Sequence, residues 1–490
     1  MLEKYKKHLS LVVVLFFYSS TFWPNSSIAE NSIILPDIGD PSGSLLTPVQ
    51  ERELGAAFFR NLHGSVKVNQ DLEIDDFIEA LGQRLVAHSD NPLQSFHFFV
   101  VIDPAINAFA GPGGYIGVNS GLFVITESES ELASVMAHEI AHVTQRHLYR
   151  AFDAASKLTI PSAAALLAAL LIGSQSPELG QAALIAAQAG STQFQIDFTR
   201  DNEQEADRVG MQVLARSDFD PRAMPSFFES LERSSRYYGE GPPEFLRTHP
   251  VTASRVADTR GRAENFPYRQ FPDSIDYLLI KAKLQVSTSI QPSQTIKYFA
   301  SRLDRGTETQ KAVAHYGYSL ALASGGDSEK ARPLLQDLHK QNPAQPLFIN
   351  ALAGIESQSG NLEKALKYYK QGIHLFPNNR ALILDYATTL IRAEQYETAR
   401  ELITEYLHHH KPTPTIYNLL SNAYGNLGDL GQSHRFLAES YYLSGQIEPA
   451  IIHSRLALKN TGGNHYLTAL IEDRLKVFVK EEEEQKQREN

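Results

Sequence analysis

Hydrophobic and polar positions change their spacing along this chain, and the spacing predicts where helices and strands lie. Apolar residues between positions 75 and 88 recur three and four residues apart, the pattern of a helix with one buried face. Upstream, Thr47 and Gln50 are spaced as a capping box around a proline, so a helix is expected from there to about residue 63. From Glu129 onward the spacing is helical again.

Two short segments between these helices have the composition of strands. The run 96–102 is aromatic and β-branched throughout, which favours a buried strand, and residues 115–118 form a second apolar run after a glycine-rich turn. Because the two runs follow each other so closely, they are expected to pair as a hairpin-like edge. The first half of the chain is therefore predicted to be helical with a small sheet.

The second half repeats itself with a period of 34 residues. One repeated position holds small residues, and another holds glycine with a single glutamate: these are Ala331, Ala365, Ala399 and Ser433, and Gly326, Gly360, Glu394 and Gly428. The period is similar to that of the tetratricopeptide repeat, in which a small residue lets two helices approach and glycine permits the turn between them. Such solenoids present a concave surface for partners. Generic helical hairpins without a binding role are the alternative.

Composition limits the kinds of partner and of catalytic or metal site that the chain can have. The chain has 490 residues, 42% of them hydrophobic and 21% charged, with a formal net charge of -11 and no cysteine. The negative charge and the lack of a basic stripe argue against nucleic acid as a partner. Without cysteine there can be no thiolate nucleophile and no Cys-ligated metal, so any metal site must use histidine and carboxylate ligands.

The amino terminus predicts export. Three lysines precede the apolar run 11–17, and small residues end at Ala29, as in a secretory signal peptide cleaved after that residue. An uncleaved anchor is the alternative. No later segment reaches the length of a membrane-spanning helix, and the alanine-rich segment 160–190 is expected as two packed helices, with peripheral membrane contact as its alternative.

The motif with the clearest chemistry is His138-Glu139-Ile140-Ala141-His142, inside an apolar helical stretch. Four residues advance an α-helix by about 400°, so His138 and His142 lie about 40° apart on one face and can share a metal ion. Glu139 is rotated by about 100° and can reach a water molecule beside that metal. Zinc suits such ligands, and the motif predicts a zinc site with Glu139 as the catalytic base. A helix with three incidental polar residues is the alternative.

Catalytic zinc usually takes three protein ligands, and Glu203 is predicted to be the third. Asp207 lies four residues later on the same helical face and is predicted to accept a hydrogen bond from a ligand imidazole. Glu205 points to the opposite side and is expected in solvent. His147 is rotated by about 140° from the second motif histidine on a continuous helix, so it is expected to be a surface side chain.

Together these residues resemble the HExxH-plus-Glu gluzincin family that contains the membrane-bound CAAX-type proteases and their exported relatives. Two further segments match the family: Asn107-Ala108-Phe109-Ala110 with the following Pro112-Gly113-Gly114, and Thr248-His249-Pro250 with Arg255. With the signal peptide and the repeats, the resemblance covers nearly the whole mature chain.

The resemblance implies roles for four more residues. An extended substrate would add as a strand along the edge that contains Asn107 and Phe109. His249 would occupy the fourth zinc position in a resting state and move aside for catalysis. Arg255 would lie near the site and stabilise developing charge.

For an exported member with repeats, the resemblance implies a periplasmic zinc endopeptidase and chaperone-like factor in outer-membrane protein assembly, which degrades misassembled β-barrel proteins. Its repeats would dock to the β-barrel assembly machinery and to the lipopolysaccharide-transport barrel. The alternatives are a non-proteolytic repeat adaptor that holds outer-membrane clients and a secreted degradative protease.

The expected fold is mainly α with a small β-sheet: a zincin-type α+β metalloprotease domain followed by an α-solenoid. The expected boundaries are a signal peptide at 1–29, the protease domain at 30–270, a helical linker at 271–310, the repeats at 311–475 and a charged tail at 476–490.

Overall fold

The computed structural model describes residues 47–152, 200–238 and 244–489. The predicted signal peptide and the segment 160–190 lie outside these residues. Helices and strands are numbered below in chain order over the described residues.

The first half of the chain folds as helices around a small sheet. Its elements are α1 (Pro48–Ser65), α2 (Leu72–Val86), β1 (His97–Val101), β2 (Ala108–Ala110), β3 (Tyr115–Asn119), α3 (Ser120–Ile125), α4 (Glu129–Thr144), α5 (His147–Phe152), α6 (Arg200–Arg216), α7 (Ala223–Tyr238), α8 (Glu244–Thr248) and α9 (Ala253–Ala263). The predicted capping box is confirmed, because Thr47 and Gln50 bond reciprocally at the start of α1. Asp71 caps α2, which therefore begins three residues before the predicted position.

The predicted hairpin is wrong. β1 and β3 pair in parallel, and the three-residue β2 pairs antiparallel with β3, so the strand order is β1-β3-β2. The chain between β1 and β3 is long enough to return to the starting end of the sheet, and it carries β2 on the way. With only Ala108, Phe109 and Ala110, β2 is too short to show alternation in sequence. β2 is thus one of the two edge strands of this sheet.

The second half is an array of antiparallel helix pairs. Its elements are α10 (Ile275–Ser287), α11 (Pro292–Ala300), α12 (Glu308–Ser324), α13 (Ser328–Gln341), α14 (Pro346–Gln358), α15 (Leu362–Leu375), α16 (Arg380–Arg392), α17 (Tyr396–His409), α18 (Pro414–Asn426), α19 (Leu430–Leu443), α20 (Ile447–Lys459) and α21 (His465–Glu489). Ala331, Ala365 and Ala399, the repeated small residues, are completely buried where the helices of a pair meet. The predicted fold class is confirmed.

Two of the predicted domain boundaries fall within packed structure. The predicted linker 271–310 contains α10 and α11, and both pack against the repeat helix α12. The predicted tail begins inside α21, where Phe478 is fully buried against residues of α19 and α20. No helix in the described part of the chain combines the length and the apolar character that crossing a membrane requires.

The repeats also contact the first half of the chain. Lys283 on α10 forms ion pairs with Asp71 and Glu73 at the start of α2. Arg380 on α16 lies 3.0 Å from Asp76 on α2. These contacts fix the solenoid to the face of α2 that does not pack on the sheet.

The turns between repeat helices explain the periodic glycines. Gly326, Gly360 and Gly428 have φ values of 88°, 81° and 85°, in the left-handed region that glycine adopts without steric cost. At the equivalent turn Glu394 has a φ of 59°, although it carries a Cβ. The glutamate therefore keeps the geometry of the turn at an energetic cost.

Replacing Glu394 by glycine should stabilise the protein by about 1 kcal/mol, because the left-handed conformation costs a residue with a Cβ about 1–2 kcal/mol and the more flexible unfolded chain offsets part of that gain. The midpoint of urea unfolding, followed by far-UV circular dichroism, measures the change. The matched control is Gly360→Ala, which should destabilise by a similar amount. A Glu394→Gly variant less stable than the parent would contradict this account.

Candidate metal centre

The centre of the site is the crossing of α4 and α6. These helices pack so closely that a Cβ at Gly210 would lie 3.1 Å from the backbone nitrogen of His138. Gly210 lies seven residues after Glu203, on the same helical face, so the glycine and the acidic ligand candidate turn toward α4 together. Sequence reasoning did not single out Gly210, although its spacing from Glu203 was a usable signal.

Four buried side chains meet at this crossing. His138, His142, Glu203 and His249 each offer one ligand atom, and these atoms lie within 4.8 Å of one another. Each of the four side chains is 2% exposed. Residues on three separate segments, 46 and more positions apart in sequence, therefore converge as expected for a metal site.

The distances fit a tetrahedral metal ion. The Nε2 atoms of His138 and His142 lie 3.0 Å apart, and each lies 3.4 Å from an oxygen of Glu203. Ligands at about 2.1 Å in a tetrahedron are separated by about 3.4 Å, the spacing that zinc requires. The donor set of imidazoles and one carboxylate also suits zinc, so the residues present fit this ion.

Asp207 and Arg255 support the ligands from behind. Nδ1 of His138 lies 3.0 Å from Oδ1 of Asp207. The guanidinium of Arg255 donates to both oxygens of Asp207 at 2.7 and 2.8 Å and lies 2.7 Å from Oε2 of Glu203. It also donates to the carbonyl of Pro250 at 2.9 Å. The arginine thus places its single positive charge against both buried carboxylates.

His249 is brought to the site by the short helix α8. Its backbone N–H donates to the carbonyl of Phe245, whose own N–H donates to the carbonyl of Ile106 just before β2. The Phe245 ring lies 4.9 Å from the imidazole. Nδ1 of His249 lies 3.0 Å from Glu203, and its Nε2 lies 3.5 Å from Glu139. The imidazole therefore stands between the ligand carboxylate and the predicted base.

Glu139 is 1% exposed and lies beside the four converging residues without being one of them. Neither of its carboxylate oxygens has a hydrogen bond of regular geometry among the described residues, although the N–H of Ala110 is near enough to lower its pKa. Burial outweighs this and raises the pKa of Glu139 above that of an ordinary glutamate. A carboxylate with a raised pKa can take up a proton closer to neutral pH.

The pKa values of the two motif histidines are shifted in opposite directions. Burial lowers the pKa of His142 well below its usual value, so its ring is neutral and able to bind metal. For His138 burial acts in the same direction, but hydrogen bonds to Asp207 and Glu203 outweigh it and raise the pKa to about 9. The pKa values of Glu203 and Asp207 are lowered despite their burial, by His249 and the other histidines for the first and chiefly by Arg255 for the second.

Two sequence predictions about neighbouring residues are wrong. His147 is not a surface side chain but is fully buried, and its Nδ1 lies 2.9 Å from Nδ1 of His142. Glu205 is only half-exposed and lies 3.1 Å from Nε2 of His147. The helical angle failed for His147 because α4 ends at Thr144 and Arg146 has a φ of 56°, which turns the chain back toward the site.

The edge strand presents different residues from those predicted. The carbonyl of Asn107 accepts from the N–H of Asn119 on β3, and Phe109 lies opposite Gly117 in the same register. In an antiparallel pair such bonded positions alternate, so the backbone groups of Ala108 and Ala110 point away from β3. The side chains of Asn107 and Phe109 are buried. Sequence reasoning therefore identified the edge but not the residues that face outward from it.

Comparison with known proteins adds independent information. Residues 75–263 match the family described as Peptidase family M48, and residues 357–423 match the tetratricopeptide repeat. The chain is 36% identical over 425 residues to the beta-barrel assembly-enhancing protease of Escherichia coli, covering 87% of each chain. It is 36% identical to the protein of that name from Yersinia pestis, over 85% of this chain and 86% of that one. It is 28% identical to the mitochondrial metalloendopeptidase OMA1 of Schizosaccharomyces pombe, over 37% of this chain and 50% of that one.

Zinc should stabilise the protein through Glu203. Added to chelator-treated protein at about a hundredfold excess over its Kd, zinc should raise the free energy of unfolding by about 2.7 kcal/mol. Glu203→Gln should lose most of that increase, because a neutral amide is a poor ligand. Urea unfolding with and without zinc measures the effect.

The control for this prediction is Gln204→Ala, an exposed neighbour on α6, which should keep the full increase. An unchanged increase in Glu203→Gln would show that this carboxylate does not hold the metal.

Proposed function

Since the chain belongs to peptidase family M48, with the beta-barrel assembly-enhancing proteases, and is a zinc metalloendopeptidase, we propose that it cleaves outer-membrane β-barrel proteins whose assembly has failed, and that it does so in the periplasm. The predicted export signal supports the location, and the repeats support a role that includes holding other proteins. The observation that carries the proposal is the buried convergence of His138, His142 and Glu203 beside Glu139.

We assign His138, His142 and Glu203 as the zinc ligands. When bound, zinc supplies a Lewis acid that polarises a peptide carbonyl and acidifies water. Asp207 holds the ring of His138 by its Nδ1 atom, so that Nε2 is presented to the metal. Arg255 keeps Asp207 ionised and lies against Glu203, which the neighbouring histidines also keep ionised. Its donors are directed to these carboxylates and to Pro250, which favours this task over direct contact with substrate.

Glu139 is the proton carrier in this mechanism. Its carboxylate takes the proton from the attacking water and returns it to the amine that leaves when the peptide bond breaks. Burial beside histidines provides the water-excluded setting in which one carboxylate can do both.

The substrate adds to the edge of the sheet. Ala108 is completely buried in the resting protein, so an extended peptide antiparallel or parallel to β2 would bond with the outward N–H and C=O groups of Ala108 and Ala110 only after the residues that cover this edge have moved. The N–H of Ala110 is also the one close to Glu139, so a peptide seated on this strand passes directly beside the proposed base. Asn107 and Phe109 would hold the strand in place through their bonds and packing on β3.

His249 closes the site in the resting protein. Its ring lies where a substrate carbonyl or water would have to approach, in contact with both Glu203 and Glu139. Because α8 is only five residues long, a small movement of this helix would withdraw the ring. We propose that such withdrawal accompanies substrate binding.

The repeats deliver the protease to its clients. We propose that the surface of the repeats docks on the β-barrel assembly machinery and on the lipopolysaccharide-transport barrel. We also propose that the protease domain ends near residue 270 and that the signal peptide is cleaved after Ala29.

Glu139→Gln should retain zinc and fold while losing proteolysis. The loss in kcat should be at least about 100-fold, since general acid-base catalysis contributes about 10²–10⁴-fold. Cleavage of an unfolded outer-membrane barrel protein, followed by gel densitometry, measures it, and zinc content serves as the internal control. Near-native cleavage by this variant would contradict the mechanism. Unimpaired maturation of barrel clients in cells despite lost cleavage would favour the non-proteolytic adaptor.

His249→Ala should raise cleavage or self-cleavage several-fold. Without the imidazole, substrate and water no longer have to displace a side chain from the site, so the binding-competent state is more populated. Initial rates on the same substrate measure the gain. Arg247→Ala, an exposed change two residues away, should leave the rate unaltered. An equal or lower rate in His249→Ala would count against closure of the site by this residue.

A further inference from the structure

His147 and Glu205 form a chain of contacts that ends on a proposed zinc ligand. His147 is completely buried, although it lies only three residues beyond the end of α4. Its Nδ1 lies 2.9 Å from Nδ1 of His142, and its Nε2 lies 3.1 Å from Oε2 of Glu205. The three side chains thus run in line from α4 through the start of α5 to α6.

The chemistry of imidazole allows one arrangement of protons in this line. Nε2 of His142 faces His138 and Glu203, so it must be unprotonated to bind a metal, and Nδ1 then carries the hydrogen. That hydrogen can be donated to Nδ1 of His147, whose own hydrogen is then on Nε2. Nε2 donates in turn to Glu205. Each atom in the line has the partner that this tautomer requires.

The other motif histidine is held in a simpler way. His138 meets a carboxylate directly, because its Nδ1 lies 3.0 Å from Asp207. At His142 the Nδ1 atom meets the imidazole of His147, which connects it to the carboxylate of Glu205. Both lines end on α6, which carries Glu203, Glu205 and Asp207 at alternate positions.

We propose that His147 and Glu205 are positioning residues that hold His142 in the tautomer and orientation needed to bind zinc. This inference rests on the proposed ligand role of His142. Partners of this kind typically change metal affinity by about 10–100-fold when they are removed. A purely structural role for His147 would instead be satisfied by any side chain that fills the same space.

The test is the zinc affinity of the mature chain, measured by competition with a chromophoric chelator at fixed pH. His147→Leu should weaken zinc binding by about 10–100-fold. His147→Asn should recover most of the loss, because the Asn carbonyl oxygen can accept the hydrogen of His142 where Nδ1 did. Equal affinities in the Leu and Asn variants, or a Leu variant that binds as the parent does, would overturn the proposal.

Glu205 gives a second test that does not disturb the core, since this side chain is half-exposed. Glu205→Leu should weaken zinc binding, and Glu205→Gln should weaken it less, because an amide oxygen still accepts from Nε2 of His147. The visible spectrum of the cobalt-substituted protein should shift more in His147→Leu than in His147→Asn, because the spectrum reports the orientation of the His142 ligand. Gln204→Ala on the same helix is the matched control and should bind as the parent does.

These results separate the inference from the proposed function. If the parent chain itself binds no zinc, or if His142→Ala binds as well as the parent, the proposed ligand set is wrong. If the parent binds zinc through His142 and the Leu variants bind equally well, only the positioning role is wrong.

Discussion

The close crossing of α4 and α6 is the constraint on which the rest of the site depends. At the separation that Gly210 allows, Glu203 reaches the rings of both motif histidines and Asp207 reaches the ring of His138. Two carboxylates buried this deeply need opposing charge, and Arg255 from α9 provides it to both. Removing any one of these charged groups should therefore destabilise the site, because it leaves another charge buried without its partner.

One helix distributes three acidic residues over three tasks. Glu203, Glu205 and Asp207 occupy alternate positions of α6. With 100° per residue, the first and third lie on one face of the helix and Glu205 lies on another. Glu203 and Asp207 share the face toward α4, one directed at the ligand atoms and the other at the outer side of His138. Glu205 leaves that face and meets the chain where it turns back after α4. The contact of Glu205 with His147 depends on the path of that turn, which the spacing of the acidic residues along α6 does not encode.

The repeat helices share packed contacts with the protease half. The turn at Gly445 lies against Arg60 on α1, so closely that a Cβ there would overlap the arginine side chain. α1 packs in turn on the tight turn 112–114 that leads from β2 to β3. Lys283 on α10 and Arg380 on α16 hold earlier parts of the helical array to α2. Packed structure is therefore continuous from the repeats to the edge strand beside the metal site.

Several local features could be predicted from sequence alone: the capping box at Thr47, the 34-residue repeat with its turn residues, and the facing pair His138 and His142, because each depends on a period or spacing along the chain. Packing between elements set the strand order, the outward positions Ala108 and Ala110, and the burial of His147. Strand pairing joins segments whose separation no period encodes, and the angle that placed His147 in solvent assumed a helix that in fact ends at Thr144. The meeting of His249 and Arg255 with the acidic residues of α6 likewise depends on packing between elements, which is why resemblance suggested it and residue spacing could not.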